Sequence, residues 1–348
     1  MFVKYNGIKY DVQELNSHQY LILSNIGISD ISEIEGLEEL SKLETLILNE
    51  NKLKSLSKSI IKLKSLKTLK LERNQLTELP EYIGELKSLE AFSLEGNRLK
   101  KLPDSIFRLD SLKWLNLGLN QIKTLSKSIG PFKSLQFLNL DLNMLTRLPN
   151  SIENLKSLID LNIRNNKLTS LPESIGNLTQ LQKLLLMNNQ LTTIPETIGK
   201  LSNLKCLELD GNQLKYLPES IGDLEVLDEL VIHHNQLTSL PKSFGELKSL
   251  RVLESYNNKL KSLPVSIGNL KVAVALYFNN NQLKSIPKTI CNLKELQILS
   301  LGNNPIDYIP ETIGKLNSLK ELDLSNTNLE SLPKSVKILE KKGVNIIF

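Results

Sequence analysis

The chain has 348 residues, with 43 Lys and Arg against 38 Asp and Glu, for a formal net charge of +5; aromatic residues are only 5%. No run of 18 apolar residues occurs, which excludes a membrane-spanning helix. The opening MFVKYNGIKYDVQEL holds no apolar h-region, so no secretory signal is expected. Length alone predicts two or three globular domains, but an uninterrupted internal repeat overrules that expectation.

Residues 1–20 stand outside the repeat and are expected to form an N-terminal cap. Phe2–Tyr5 and Ile8–Tyr10 flank Asn6-Gly7, the pair that supplies the positive φ values of a type I′ hairpin turn. A solenoid must cover its first open end, and a hairpin does so. From Ile28 apolar residues fall at every third position through Ile31, Ile34, Leu37, Leu40, Leu43 and Leu46. This first coil, keyed on Ile26, is two residues longer than the rest.

The remaining coils copy one unit, best seen in Leu181–Asn203, LQKLLLMNNQLTTIPETIGKLSN. Leu184-x-Leu186 alternates as a half-buried strand does, whereas Ile198, Leu201 and Leu204 recur every three residues, as the inner face of a 3₁₀-like or extended turn does. Such a coil cannot enclose its own apolar side chains, so neighbours must stack. Asparagine occupies one column twelve times at a spacing of 23, from Asn51 to Asn304, and Thr327 takes the thirteenth place. A buried amide at that place is expected to bond the backbone of adjacent coils. A proline column from Pro80 to Pro333, with Ser57 and Ser126 as substitutes, marks where the strand has ended. Ser255 and Ala273 replace expected leucines and predict looser packing around 254–276. Residues 334–342 read as a short helix, Gly343 as its C′ residue and 344–348 as a closing strand, together a C-terminal cap.

The pattern L-x-x-L-x-L-x-x-N-x-L followed by x-x-L/I-P-x-S/T-I-G resembles the 23-residue leucine-rich repeats of the Ras-group family of plants and animals and of bacterial, including spirochaete, proteins. The resemblance runs from about Leu21 to Lys334 and implies an α/β leucine-rich repeat solenoid. Its expected form is a curved right-handed coil of 13–14 repeats over 21–333, with a concave parallel β-sheet and convex 3₁₀, short helical or extended turns. It also implies scaffolding or signalling roles: Ras-pathway adaptors in eukaryotes, undefined or host-directed roles in bacteria. Extracellular members often carry cysteine-clustered caps, which this chain lacks.

Cys206 and Cys291 lie 85 residues apart, on a strand and on a convex turn. At about 4.8 Å per coil they are separated by roughly 17 Å, too far for the ~7 Å reach of a disulfide. A reducing, cytoplasmic compartment is therefore expected. The triplet Asn177-Leu-Thr179 is a chance match to a glycosylation signal in an Asn-rich chain.

No catalytic motif is present, and no enzyme activity and no cofactor are expected. His233-His234 beside Glu254 or Glu208 has metal-ligand chemistry, but adjacent strand residues point to opposite sides. The pair therefore reads as two solvated side chains, and no metal site is assigned.

The columns flanking the strand leucines face the expected concave surface and carry eleven acids against four bases, Lys70, Arg73, Arg164 and Lys183. That face is acidic, at −7, on a chain of +5, so lysines dominate the convex side. Trp114, Leu119, Phe137 and Leu142 are expected to form one apolar patch, extending toward Leu185 and Met187. Val231, His233, Val252, Tyr256 and Tyr277 form a second group beside Glu208, Asp210, Glu229 and Glu254. Exposed aromatics within a polar rim suit binding, although strands also stack aromatics for their own stability.

The expected function is a non-catalytic protein–protein interaction scaffold, monomeric, gripping a protein or peptide with a basic, partly apolar surface. Its site residues would be Trp114, Phe137, Leu142, Asp160, Glu208, Asp210, Glu229, His233, Glu254, Tyr256 and Tyr277. The alternative is nucleic acid or an anionic membrane on the convex lysines, among them Lys64, Lys87, Lys133, Lys156 and Lys248. Interleaved Glu81, Glu85, Glu173, Glu196 and Glu219, and the absence of stacking aromatics, weigh against it.

Overall fold

The computed structural model describes residues 1–127 and 132–348. The chain forms two compact units, Met1–Lys167 and Leu168–Phe348.

The first unit opens with two hairpins. β1 (Phe2–Tyr5) pairs antiparallel with β2 (Ile8–Asp11) across Asn6 and Gly7, at φ 51° and 76°. β3 (Gln13–Leu15) pairs antiparallel with β4 (His18–Ile22) across Asn16 and Ser17, both also at positive φ. The second hairpin was not visible in the sequence, where Asn-Ser is a weaker turn signal than Asn-Gly. From β4 onward, three-residue strands stack in parallel at Thr45–Ile47, Thr68–Lys70, Ala91–Ser93, Trp114–Asn116, Phe137–Asn139 and Asp160–Asn162. The long first coil holds two 3₁₀ turns, Ile31–Glu33 and Leu37–Glu39. Its every-third apolar residues from Ile28 to Leu46 are all buried.

The second unit repeats the scheme from Lys183–Leu185 to Glu321–Asp323, in parallel register. Helix Lys334–Lys341 then leads through Gly343, at φ 89°, to the strand Asn345–Ile347, which pairs with Glu321–Asp323.

In both units, five-residue 3₁₀ turns follow the prolines. Pro218 has φ −67° and ψ 154°, and Glu219–Asp223 turns after it. Ser57 takes the same geometry, with φ −78° and ψ 159°. The turn expected after Ser126 falls on residues 128–131, outside the described residues. Glycine follows the isoleucine because coils meet there. A Cβ on Gly222 would lie 2.5 Å from the carbonyl oxygen of Ser243 in the next coil.

The asparagine column works as a ladder. Asn74 Nδ2 donates to the carbonyls of Leu48 and Leu71 at 2.9 and 3.1 Å, while its Oδ1 accepts from Leu53 N–H at 3.1 Å. Each amide thus joins its own coil to the one before it at the point where the strand ladder runs out. Thr327 bonds only its own coil, donating to Leu324 O at 2.8 Å.

At 254–276, where looser packing is expected, Ser255 and Ala273 are fully buried, and Phe278 is fully buried one rung on in the column of Ser255.

Candidate functional site

Each strand buries its central leucine and turns the two flanking residues outward. Three residues past the strand, the backbone enters the left-handed region in every coil, from Asn25 to Asn326. Asparagine or glycine holds that place in nine coils; Glu50, Arg73, Leu119, Leu142 and His234 hold it in the others. The conformation is imposed by the stack, since these N–H groups donate to the next coil, as Leu119 N does to Asp141 O at 2.9 Å.

In the second unit, Glu208, Val231, Glu254 and Tyr277 are successive register partners, with Cys206, Glu229 and Val252 alongside them. Asp210, His233 and Tyr256 form the next row. His233 stacks on Tyr256 with centroids 4.2 Å apart and planes at 15°. Its Nε2 lies 3.8 Å from Asp210 Oδ2 and 3.7 Å from Glu254 Oε2. The structure therefore brings Glu208, Asp210, Glu229, His233, Glu254, Tyr256 and Tyr277 together.

The two histidines do not diverge as expected from strand alternation. Their Nδ1 atoms are 2.8 Å apart, because the strand ends at Val231 and the positive φ of His234, 52°, swings its ring back. His234 Nε2 also meets the Asn257 amide nitrogen at 2.9 Å. With that amide as donor, His234 carries its proton on Nδ1 and gives it to His233 Nδ1. His233 then holds its own proton on Nε2, facing the two carboxylates.

Burial, helped by His234, pushes the His233 imidazole down to about 4. The two carboxylates act in the opposite sense, but both lie beyond hydrogen-bond distance, so the neutral ring prevails. Burial and then the charges of Glu229 and Glu208 push the Glu254 carboxyl up. Burial, Glu229 and Glu208 drive the Cys206 thiol to about 12, which makes it an inert thiol. Tyr256 and Tyr277 are raised by burial and by Glu254. Among the described residues, no group of three or more His, Cys, Asp or Glu is arranged to hold a metal ion. Both cysteines are free.

In the first unit, Trp114 and Phe137 are register partners, and Phe137 is the partner of Asp160. Phe137, Leu119 and Leu142 are exposed, at 39, 48 and 45%. Trp114 and Phe137 stand on the strands, and Leu119 and Leu142 stand five residues later in each coil, at the left-handed position beyond the strand. Between the two rows lie Asn116 and Asn139, joined by a 2.9 Å amide bond. Met144, exposed beyond Leu142, extends the second row and was not anticipated.

Sequence reasoning also missed a hollow of about 240 Å³ lined by Thr68, Lys70, Ala91, Ser93 and Trp114. The small pair Ala91 and Ser93, between rungs bearing lysine and tryptophan, was its signal. At the coil edges lysines are engaged by neighbouring coils. Lys248 pairs with Glu225 at 2.8 Å, and Lys87 Nζ donates to Arg108 O at 2.7 Å. No helix among the described residues is long and apolar enough to cross a membrane.

Residues 160–256 match the model of a leucine-rich repeat region, and residues 41–99, 87–145 and 273–329 match a leucine rich repeat model. A solved leucine-rich repeat protein of Leptospira interrogans is 34% identical, covering 94% of this chain and 95% of its own, with a TM-score of 0.64. An internalin of Listeria monocytogenes shares the fold, with a TM-score of 0.72 at 23% identity over 89% of this chain and 88% of its own. The leucine-rich repeat ectodomain of an Arabidopsis thaliana membrane receptor kinase, solved in complex with Casparian strip integrity factor 2, is 30% identical. It aligns with 93% of this chain and 46% of its own, at a TM-score of 0.60, so this chain spans about half of it. Among curated proteins none matches the chain.

Proposed function

Because the chain belongs to the leucine-rich repeat family, whose folds commonly act as protein-interaction scaffolds, we propose that it is a non-catalytic scaffold for a protein or peptide. The partner would present a basic, partly apolar surface to the strand face of the second unit. The observation that carries this reading is the state of Glu254. It is half-buried, and the charges that raise its carboxyl are the acids Glu229 and Glu208. A lysine or arginine placed there would relieve that repulsion, while Tyr256, stacked on His233, offers an aromatic face to the same guest.

The Trp114–Phe137 pair and the exposed Leu142 row provide apolar anchors on the first unit. The plant neighbour's complex with Casparian strip integrity factor 2 supports a binding role for this repeat fold. The two free cysteines support a reducing, cytoplasmic setting and, with it, a signalling role for a monomeric adaptor.

The test is affinity capture from source-cell lysate at two salt concentrations, comparing wild type with Glu254→Lys/Tyr256→Ala. A protein retained by wild type and lost by the variant, at equal thermal stability, supports the reading. Equal retention removes this face. Nucleic acid or lipid recovered only at low salt and indifferent to the substitutions would transfer the function to the lysines.

A further inference from the structure

The hollow in the first unit is built by register. Thr68, Ala91 and Trp114 are successive partners in one outward column, and Lys70, Ser93 and Asn116 in the next. The Ala91–Ser93 rung is the floor; the rungs of Lys70 and of Trp114 are the walls. Two rungs at about 4.8 Å each put those walls roughly 10 Å apart, the spacing at which one layer of side chains fits between packed faces. The volume of about 240 Å³ falls below the roughly 300–1,000 Å³ of ordinary small-molecule sites, and it suits a single side chain.

Its polar groups are unspent. Among the described residues Lys70 has no ion pair, and the nearby acids are engaged elsewhere. Glu72 takes the Asn49 amide at 3.1 Å, and Glu95 takes the Asn116 amide at 2.7 Å. Ser93 is fully buried and its hydroxyl has no hydrogen-bond partner. Ser255 is also without one, but it stands on an inward column within the leucine core, whereas Ser93 stands on the floor of the hollow. An unspent donor beside an unpaired ammonium group calls for an acceptor bearing negative charge.

We propose that this hollow is an anchor pocket for one apolar side chain of an extended peptide, with an adjacent carboxylate held by Lys70. The apolar group lies against the Trp114 indole and the Ala91 methyl, and the carboxylate meets Lys70 Nζ on the opposite wall, beside the Ser93 hydroxyl of the floor. Either the peptide's C-terminal carboxylate or an Asp or Glu next to the apolar residue supplies that charge. The inference rests on reading the strand face as the binding surface. It concerns only the first unit, so its failure would leave the acidic cluster of the second unit standing.

Trp114 is the single tryptophan of the chain, so its fluorescence reports this pocket alone. The probes are synthetic Gly-Ser heptapeptides with an acetylated N-terminus. One ends in leucine with a free carboxylate, one ends in leucinamide, one carries an internal Leu-Asp with an amidated end, and one ends in glycine with a free carboxylate.

The expected result is a saturable emission shift with the free C-terminal leucine or the internal Leu-Asp peptide, which tells the two carboxylate sources apart. The leucinamide peptide should bind about tenfold more weakly, the loss of one charged hydrogen bond. Lys70→Gln should erase that difference, and Ala91→Phe should abolish the shift by filling the floor. A glycine peptide as effective as the leucine ones, or no saturable shift with any peptide, overturns the proposal. Should Ala91→Phe fail to fold, the comparison of carboxylate and amide in wild type and Lys70→Gln decides.

Discussion

Replacing Asn235 with alanine tests the physical link between the ladder and the binding face. Asn235 Nδ2 donates to Leu209 O at 2.9 Å and to Ile232 O and His233 O at 3.2 Å; its Oδ1 accepts from Leu214 N–H at 2.9 Å. Alanine leaves the buried Leu214 N–H and the Leu209 carbonyl without those partners. Each orphaned group costs about 1–3 kcal/mol, so the substitution should cost about 3 kcal/mol in total. Part of that loss is local, because a stacked array yields coil by coil and does not melt as one block. Urea denaturation followed by circular dichroism measures the total. Hydrogen exchange read by mass spectrometry locates it, with protection expected to fall across residues 209–237. The His233–His234 loop should loosen with it, weakening capture of a basic partner. A loss under 1 kcal/mol, with exchange around Leu214 unchanged, would refute the claim that the amide carries this junction.

Lowering the pH should destabilise the second unit through His233. Its folded value of about 4 lies below the ordinary 6.5, so between those values the unfolded chain binds more protons and stability falls as pH falls. Between pH 7 and 5 the difference amounts to about 2 kcal/mol. His233→Phe should remove that component of the pH–stability profile, and an identical profile in the variant would contradict it. Leu142→Asn relieves a leucine held at φ 52°, so it should raise stability by about 1 kcal/mol in a thermal melt while weakening any partner that uses the Leu142 row. Gly222→Ala drives a methyl toward Ser243 O and should lower stability by about 2 kcal/mol; an unchanged melting temperature would show that the neighbouring coil yields freely.

Most of the fold was legible because the repeat is written in the chain. A leucine every second or third position sets strand and turn, and an asparagine every 23 residues sets where one coil hands over to the next. That amide has no competing use once the leucines are buried, so its column could be assigned to backbone bonding before any coordinate was seen. The outward columns were legible for the same reason: strand alternation alone sends Trp114, Phe137, Glu208 and Glu254 to the strand face.

Tertiary structure decided what alternation cannot describe. Beyond the strand the backbone turns left-handed, because N–H groups at that place donate to the next coil. This brings His233 and His234 together against the rule that neighbours diverge. The Trp114–Phe137 row lies on the strands and the Leu119–Leu142 row at the left-handed position beyond them, with the Asn116–Asn139 amide bond at the strand ends. The hollow under Trp114 and the raised carboxyl of Glu254 exist only because residues 23 or 46 apart in sequence are stacked. The sequence by itself determined a chain whose local periods can be satisfied only by stacking. Which outward side chains touch, and which are left with charge unspent, was settled by the distances between coils, because electrostatic and packing energies depend on separation in space.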